Sequence, residues 1–375
     1  MSIINMHEIS VTKNWAYGIN YKYNFLCKIC TSTNKIKEIH SLFTDEEEIQ
    51  YSYATEFYNH ILATDSLIYF INDCTNKLLI FNKDLQLVEK LLLSEKPENM
   101  NIIGFSSNVL YAYAVLSGIV IGIDINTKKI TNYQVPEEYI GKINSMEIKI
   151  IDNCLWLTGY MGNVIIEIQI ESGELLEHRV DILKGDICLC CKSEDSFWLC
   201  TQYEIIEWDH ENNKIKRVLD LPCKMEHNEC GMPFYYSCIM NECLWLFPLK
   251  EKFIIKMDIE KNRVELVAVK KEKEKSKCQK AFGYLDMDNC NNVVYGLDSD
   301  MNNVIINMNN GKIINIGFLI EDSVYKKVKE QFFEGNFYLN EYMFEVLELF
   351  EATYKNDLIR INDGNVGSKI YKHCC

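Results

Sequence analysis

Apolar and polar residues alternate with a period of two along most of this chain, and the alternation comes in repeated packets. Seven packets share one form: small or polar residues, apolar positions, an aromatic, then more apolar positions. They are Asn14-Trp15-Ala16-Tyr17, Ser66-Leu67-Ile68-Tyr69, Asn108-Val109-Leu110-Tyr111, Cys154-Leu155-Trp156, Ser196-Phe197-Trp198, Cys243-Leu244-Trp245 and Val293-Val294-Tyr295. A second apolar run follows each one. These runs are Phe25-Leu26-Cys27, Leu78-Leu79-Ile80, Ile119-Val120-Ile121, Val164-Ile165-Ile166, Ile205-Ile206, Phe253-Ile254-Ile255 and Val304-Ile305-Ile306.

Turn residues then separate the second run from a third. Glu171-Ser172-Gly173-Glu174 leads into Leu175-Leu176, Glu260-Lys261-Asn262-Arg263 into Val264, and Asn309-Asn310-Gly311-Lys312 into Ile313-Ile314. Gly and Asn accept the positive φ that tight hairpins demand, so these segments predict β-turns. A further alternating stretch precedes the aromatic packet, as in Met146-Glu147-Ile148-Lys149-Ile150 and Phe234-Tyr235-Tyr236-Ser237-Cys238. The unit therefore holds four strands and recurs at roughly 40 to 53 residues, a spacing that predicts the blades of a closed ring of antiparallel sheets. One four-stranded sheet cannot cover both of its apolar faces, whereas radial stacking covers each with a neighbour. The seven aromatics are thus expected in the wedges between blades.

On these residues the region up to about position 319 resembles a seven-bladed β-propeller, an all-β fold. Blade four, from Leu157 through Thr158, Gly159 and Asn163 to Val164-Ile165-Ile166, is similar to quinoprotein-like and virginiamycin B lyase-like repeats. The Gly-His and Trp-Asp series of WD40 repeats is missing, Trp208-Asp209 being one isolated pair. Kelch double glycines and the sialidase aspartate box are missing too. The resemblance implies a fold and carries over no catalytic residue. Ile3-Ile4-Asn5-Met6 is expected to be the innermost strand of the first blade, and the manner of ring closure stays open.

The period changes after Glu321. Val324, Val328, Phe332 and Phe333 recur at helical spacing behind Asp322-Ser323, as do Tyr342, Val346, Leu347 and Phe350 behind Asn340-Glu341. Gly335-Asn336 separates the two candidate helices, Leu358-Ile359-Arg360-Ile361 predicts a short strand, and residues 366–375 a last short helix. The expected division is a propeller over 1–319 and a helical C-terminal extension over 320–375 docked on it.

Charge and cysteine content narrow the function. Of 375 residues, 54 are Asp or Glu and 39 are Lys or Arg, a net charge of −15 that argues against nucleic acid as a partner. No run approaches the roughly 18 apolar residues of a membrane-spanning helix. The first eleven residues carry His7 and Glu8 but no basic cluster ahead of an apolar run, so no secretory leader is expected. The 16 cysteines are irregularly spaced and many lie in apolar strands, which points to free thiols in a reducing cytoplasm.

Candidate chemistry is sparse. Cys27 and Cys30 form one CxxC whose members a strand points to opposite faces, and Cys188 and Cys190 are expected to share a buried face. Cys223, His227 and Cys230 place two thiols and an imidazole in one irregular connection and form a candidate zinc site, to which His373, Cys374 or Cys375 can add a fourth ligand. Asp298-Ser299-Asp300 mimics the opening of a calcium loop without its glycine or closing glutamate. Lys270–Lys277 and Thr44–Glu48 read as solvated charge runs. No Ser-His-Asp order, phosphate-cradling loop or HExxH helix is present, and no cofactor is implied.

In a propeller, the loops between second and third strands share a face with the connections between blades. On that face the sequence places Tyr21, Tyr23, Tyr160, Tyr203, Lys250, Lys252, Asp298 and Asp300, together with His227. Tyrosines among a few charges suit recognition, because they bury area at low entropic cost. The reading is a non-catalytic scaffold that binds a protein or peptide partner through its loop face and central channel. The alternatives are a lyase or hydrolase acting in the central funnel, for which polar groups must converge near the axis, and a propeller that senses a small molecule or sugar.

Overall fold

The computed structural model describes residues 2–4, 6–20, 25–41, 60–71, 76–94, 98–144, 147–182, 184–193, 196–225, 233–248, 251, 253–268, 283–288, 291–297, 303–309 and 312–333. Within them thirty strands gather into seven sheets. After β1 (Ser2–Ile4), blade 1 consists of β2 (Glu8–Val11), β3 (Trp15–Asn20), β4 (Phe25–Cys30) and β5 (Lys35–Ser41). Blade 2 holds β6 (His60–Ala63), β7 (Leu67–Ile71), β8 (Lys77–Asn82) and β9 (Leu87–Leu92); blade 3 holds β10 (Met100–Ser106), β11 (Val109–Ala114), β12 (Ile119–Asp124) and β13 (Ile130–Gln134). Blade 4 is β14 (Lys149–Ile151), β15 (Cys154–Leu157), β16 (Val164–Gln169) and β17 (Leu175–Arg179); blade 5 is β18 (Leu189–Ser193), β19 (Ser196–Cys200), β20 (Glu204–Asp209) and β21 (Lys214–Asp220). Blade 6 is β22 (Phe234–Met240), β23 (Cys243–Pro248), β24 (Phe253–Asp258) and β25 (Arg263–Ala268); blade 7 is β26 (Gly283–Asp288), β27 (Val293–Leu297), β28 (Asn303–Asn307) and β29 (Lys312–Asn315). Last come β30 (Phe318–Ile320) and a helix, α1 (Asp322–Phe333).

Each blade is an antiparallel meander. Its first strand is innermost, because β2, β6, β10, β14, β18, β22 and β26 pack on one another in succession and β26 returns onto β2. The chain is the seven-bladed all-β ring that the repeat predicts.

The third residue of every second strand is the repeat aromatic: Tyr17, Tyr69, Tyr111, Trp156, Trp198, Trp245 and Tyr295, each at most 2% exposed. Each lies in the apolar seam between its own blade and the next, Tyr17 with blade 2 and so on round to Tyr295 with blade 1. An aromatic buries roughly 150 to 250 Å². At about 25 cal/mol per Å² this amounts to about 4–6 kcal/mol apiece as an upper bound, several times one net hydrogen bond. The seams therefore outweigh any single polar contact in holding the blades together.

The outer hairpins follow from a second recurrence. Asp124, Asp209 and Asp258 end the third strands of blades 3, 5 and 6, and each carboxylate accepts a backbone N–H three residues on, from Thr127, Asn212 and Lys261. Asn213 and Asn262 then take positive φ, 46° and 56°. Trp208-Asp209 is a case of this local pattern: Trp208 is buried, its indole N–H donates to Asn213 Oδ1 at 3.1 Å, and Asp209 closes the turn.

Ring closure departs from expectation. The innermost strand of blade 1 is Glu8–Val11, not Ile3–Met6. Ser2–Ile4 instead pairs antiparallel with β30, which runs parallel to β5, so two further strands sit on the outer edge of blade 1. Both ends of the ring thereby meet in one sheet. The final seam is tied at its centre by the wholly buried Asn303. Its Oδ1 accepts the Met6 N–H at 2.6 Å and its Nδ2 donates to the Met6 carbonyl at 2.8 Å, while Asp286 Oδ2 accepts the Val11 N–H at 2.6 Å.

Helix α1 covers part of this sheet. Val324 is buried in the seam of blades 7 and 1, and Glu321 pairs with Lys37 at 2.8 Å and Lys35 at 3.4 Å on β5. The second candidate helix, the 358–361 strand and the 366–375 helix lie outside the described residues. So do the runs 270–277 and 44–48.

Replacing Asn303 with Ala leaves two buried Met6 backbone groups unsatisfied and is expected to lower stability by about 2–3 kcal/mol. Urea unfolding should show a lower midpoint at unchanged slope; an unchanged midpoint would remove this clamp from ring closure.

Candidate functional site

The inner strands crowd towards the axis, and a polar cluster from three blades meets there. Glu147 precedes β14 and is wholly buried. Its Oε1 accepts the Ser237 N–H at 2.9 Å, its Oε2 accepts the Ser237 hydroxyl at 3.0 Å, and Lys149 Nζ stands 3.3 Å from Oε2. Lys149 also donates to the Ser237 carbonyl at 3.2 Å and lies 3.9 Å from the centre of the Tyr236 ring. From blade 5, Cys191 Sγ donates to Ser237 Oγ at 3.0 Å. The cluster thus joins blade 4 to blade 6, with blade 5 between them.

Burial pushes the Glu147 carboxyl up to about 7, against the pull of Lys149 and the Ser237 donors. For Lys149 burial works the other way, but the Glu147 charge, with Tyr236 and Cys191, outweighs it and holds the ammonium pKa above the ordinary lysine value. Burial raises the thiols around them as well, Cys191 to about 11 and Cys188, Cys190, Cys200 and Cys238 further. None of these is a thiolate nucleophile at neutral pH. Cys188 and Cys190 do not share a face. Cys190 lies in the seam of blades 4 and 5, and Cys188 joins Cys191 in that of blades 5 and 6, because position 188 precedes the regular strand.

A second polar set lies across the ring. Ser10 Oγ accepts the Ala63 N–H at 2.9 Å, linking blades 1 and 2. Half-buried Glu8 starts β2, and burial with the Asp286 carboxylate raises its pKa. Half-buried His60 starts β6; burial drives its imidazole down to about 4 against a hydrogen bond with Asn101, so it is neutral at physiological pH.

The loop face forms as its topology requires. The Gly159 N–H donates to Ile187 O at 3.0 Å and the Met225 N–H to Gln202 O at 3.1 Å, so the loops after β15 and β19 lie against the connections leading to blades 5 and 6. Gly159 also lies against the connection leading to blade 4, where a Cβ would stand 2.1 Å from the Lys142 carbonyl. Tyr160 and Tyr203 both occur here. Tyr160 is half-buried, its N–H donating to Lys142 O at 2.7 Å; Tyr203 is half-exposed, with Lys224 Nζ 5.4 Å from its ring centre. Leu116, in the corresponding loop of blade 3, is 74% exposed.

Tyr21, Tyr23, Lys250, Lys252, Asp298 and Asp300 lie outside the described residues, as do His227 and Cys230. Cys223 is exposed on the connection after β21, where burial of its sulfur and the Glu251 carboxylate raise its pKa. Cys27 is buried in the seam of blades 7 and 1, while half-buried Cys30 is drawn down to about 7 by Ser32 and Thr33. Among the described residues, no three His, Cys, Asp or Glu side chains are grouped to hold a metal ion, and no helix is long and apolar enough to cross a membrane.

No family model and no curated protein matches the sequence. Solved structures do match its shape. A streptogramin B lyase superposes with a TM-score of 0.54 at 14% identity, over 84% of this chain and 93% of that one. A catalytically inactive variant of virginiamycin B lyase from Staphylococcus aureus, solved with quinupristin, gives 0.55 at 14% over 80% and 94%. BamB from Moraxella catarrhalis gives 0.51 at 12% over 84% and 89%. At this identity the likeness is one of fold. The chain is a seven-bladed β-propeller.

The propeller axis carries two testable consequences. Removing one member of the buried pair, by Glu147→Leu or Lys149→Met, is expected to cost about 3–5 kcal/mol in urea unfolding, and the double replacement less than either single one. Additive losses would show that the two charges do not depend on each other. Because the folded carboxyl is raised from 4.5 to about 7, its contribution to stability is full below pH about 4.5 and is lost as pH rises through about 7. Wild-type stability should therefore carry a downward component over that range which Glu147→Gln abolishes; identical pH slopes would refute it.

Proposed function

We propose that this propeller is a non-catalytic scaffold that binds a protein or peptide partner on its loop face. The observation that carries the reading is the saturation of the axial cluster: both Glu147 oxygens, the Lys149 ammonium and the Ser237 hydroxyl are engaged with one another, and the neighbouring thiols are held protonated. Groups so committed stiffen blades 4 to 6 and leave little for a reacting substrate. The loop face, by contrast, presents Leu116, Tyr203 and Lys224 to solvent on backbone pinned to the blades, an arrangement that spares a partner the cost of ordering loops. The ten cysteines described as free thiols support a reducing compartment such as the cytoplasm.

The second reading, a lyase or hydrolase working in the funnel, is favoured by half-buried His60 and Glu8 on adjacent inner strands and by the fold shared with two lyases. A photo-crosslinking residue placed at Leu116 or Tyr203 in cells should trap discrete protein adducts, and one at Glu171 on the opposite face should not. Absence of loop-face adducts would count against the scaffold. Cleavage of quinupristin by the purified chain, abolished by His60→Ala, would replace it with the enzyme.

A further inference from the structure

Within the axial cluster, side chains from three blades form a continuous chain of donors and acceptors. Cys191 Sγ on β18 donates to Ser237 Oγ on β22 at 3.0 Å, and the Ser237 hydroxyl donates to Glu147 Oε2 at 3.0 Å. A hydroxyl carries one proton and rotates to suit its neighbours, whereas a backbone N–H is fixed. The two carboxylate oxygens therefore differ. Oε1 faces the fixed Ser237 N–H at 2.9 Å, and Oε2 faces the movable hydroxyl. A proton taken up by Glu147 fits at Oε2 and not at Oε1.

The groups around the carboxylate govern that uptake. From its own segment Lys149 faces it, with Nζ 3.3 Å from Oε2. Strand β22 supplies Ser237, with Tyr236 and Cys238 alongside; β18 supplies Cys190 and Cys191, with Cys188 and Cys200 beyond them. Lys149 is the cation of this set, and burial holds the thiols protonated. Exposure is unequal across the charged pair: the Glu147 side chain has none, and that of Lys149 keeps 18%. Lys149 also holds the Ser237 carbonyl at 3.2 Å and stands 3.9 Å from the Tyr236 ring centre, so it retains partners when the carboxylate is neutralised. The carboxylate is thus the member of the pair that gives up its charge.

We propose that Cys191, Ser237 and Glu147 form a proton-sensing relay whose direction reverses when the carboxylate takes up a proton. In the ionised state Cys191 S–H donates to Ser237 Oγ, and Ser237 O–H donates to Glu147 Oε2. One proton from solvent binds Oε2. The new Glu147 O–H then donates to Ser237 Oγ, the Ser237 O–H turns to Cys191 Sγ, and the thiol proton turns away. Burial places the Glu147 carboxyl at about 7, so the reversal falls in the neutral range. There the contact between Glu147 and its neighbours passes from ion pair to neutral hydrogen bond. The relay uses no loop-face residue and stands or falls independently of the scaffold.

Infrared difference spectra of the full chain between pH about 6 and about 8 test the relay, with the Cys191 S–H band identified by its loss in Cys191→Ser. The band is expected to shift to lower frequency as pH rises, because the thiol donates only in the ionised state. The Ser237 amide proton resonance should move over the same range. Glu147→Gln, whose amide does not titrate, should abolish both shifts. Ser237→Ala should abolish the thiol shift while the neutral-carboxyl band of Glu147 still titrates. Each of the following results overturns the proposal: a Ser237 amide resonance that does not move in the wild type, a readout that needs no variant; a thiol band that stays put while the amide moves, which leaves a titrating carboxyl without a relay; or a thiol shift that persists in Glu147→Gln or Ser237→Ala, which assigns it to another group.

Discussion

A four-stranded β-sheet with two apolar faces cannot exist alone in water, and every feature of this propeller follows from how that problem is met. Each blade turns one face to the blade before it and one to the blade after it. The recurring aromatic on the second strand fills the wedge that opens as blades diverge from the axis. Because every blade depends on two neighbours, the last must find the first. The seam between blades 7 and 1 accordingly has its own fittings: Asn303 grips both backbone groups of Met6, Asp286 takes the Val11 N–H, and β30 and β1 bind the two ends of the ring into one sheet.

Convergence at the axis has the opposite chemical consequence. Inner strands approach closely enough for side chains of blades 4, 5 and 6 to meet, and polar groups there lose water. Glu147, Lys149, Ser237 and Cys191 compensate by bonding one another, which makes them a strut rather than a set of waiting reagents. Freedom to meet another molecule is left to the surfaces the ring does not consume, namely the loop face and the outer strand edges. Three apolar side chains of the outer strand of blade 2, Leu87, Val88 and Leu92, stand exposed there.

Much of this was legible along the chain. Alternation, the aromatic at the third place of each second strand and the Asp or Asn turn residues are local signals, so blade number and seam residues could be read directly. The axial cluster had only a faint trace, two opposite charges on one side of the strand-like stretch Glu147-Ile148-Lys149. Its other half, Ser237, is 90 positions away and looks like any small residue in a strand. Cys188 misled for a related reason: alternation assigns faces only inside a regular strand, and this residue stands one position before it.

What the sequence determined by itself is the repeating unit, because hairpin turns and period-two burial are decided among residues a few positions apart. Tertiary structure alone decided which strand opens the ring, where the two chain ends meet and which polar groups neutralise one another at the axis. Each of those outcomes depends on distances between blades. Such distances are settled only when the circle closes and every apolar face has found its cover.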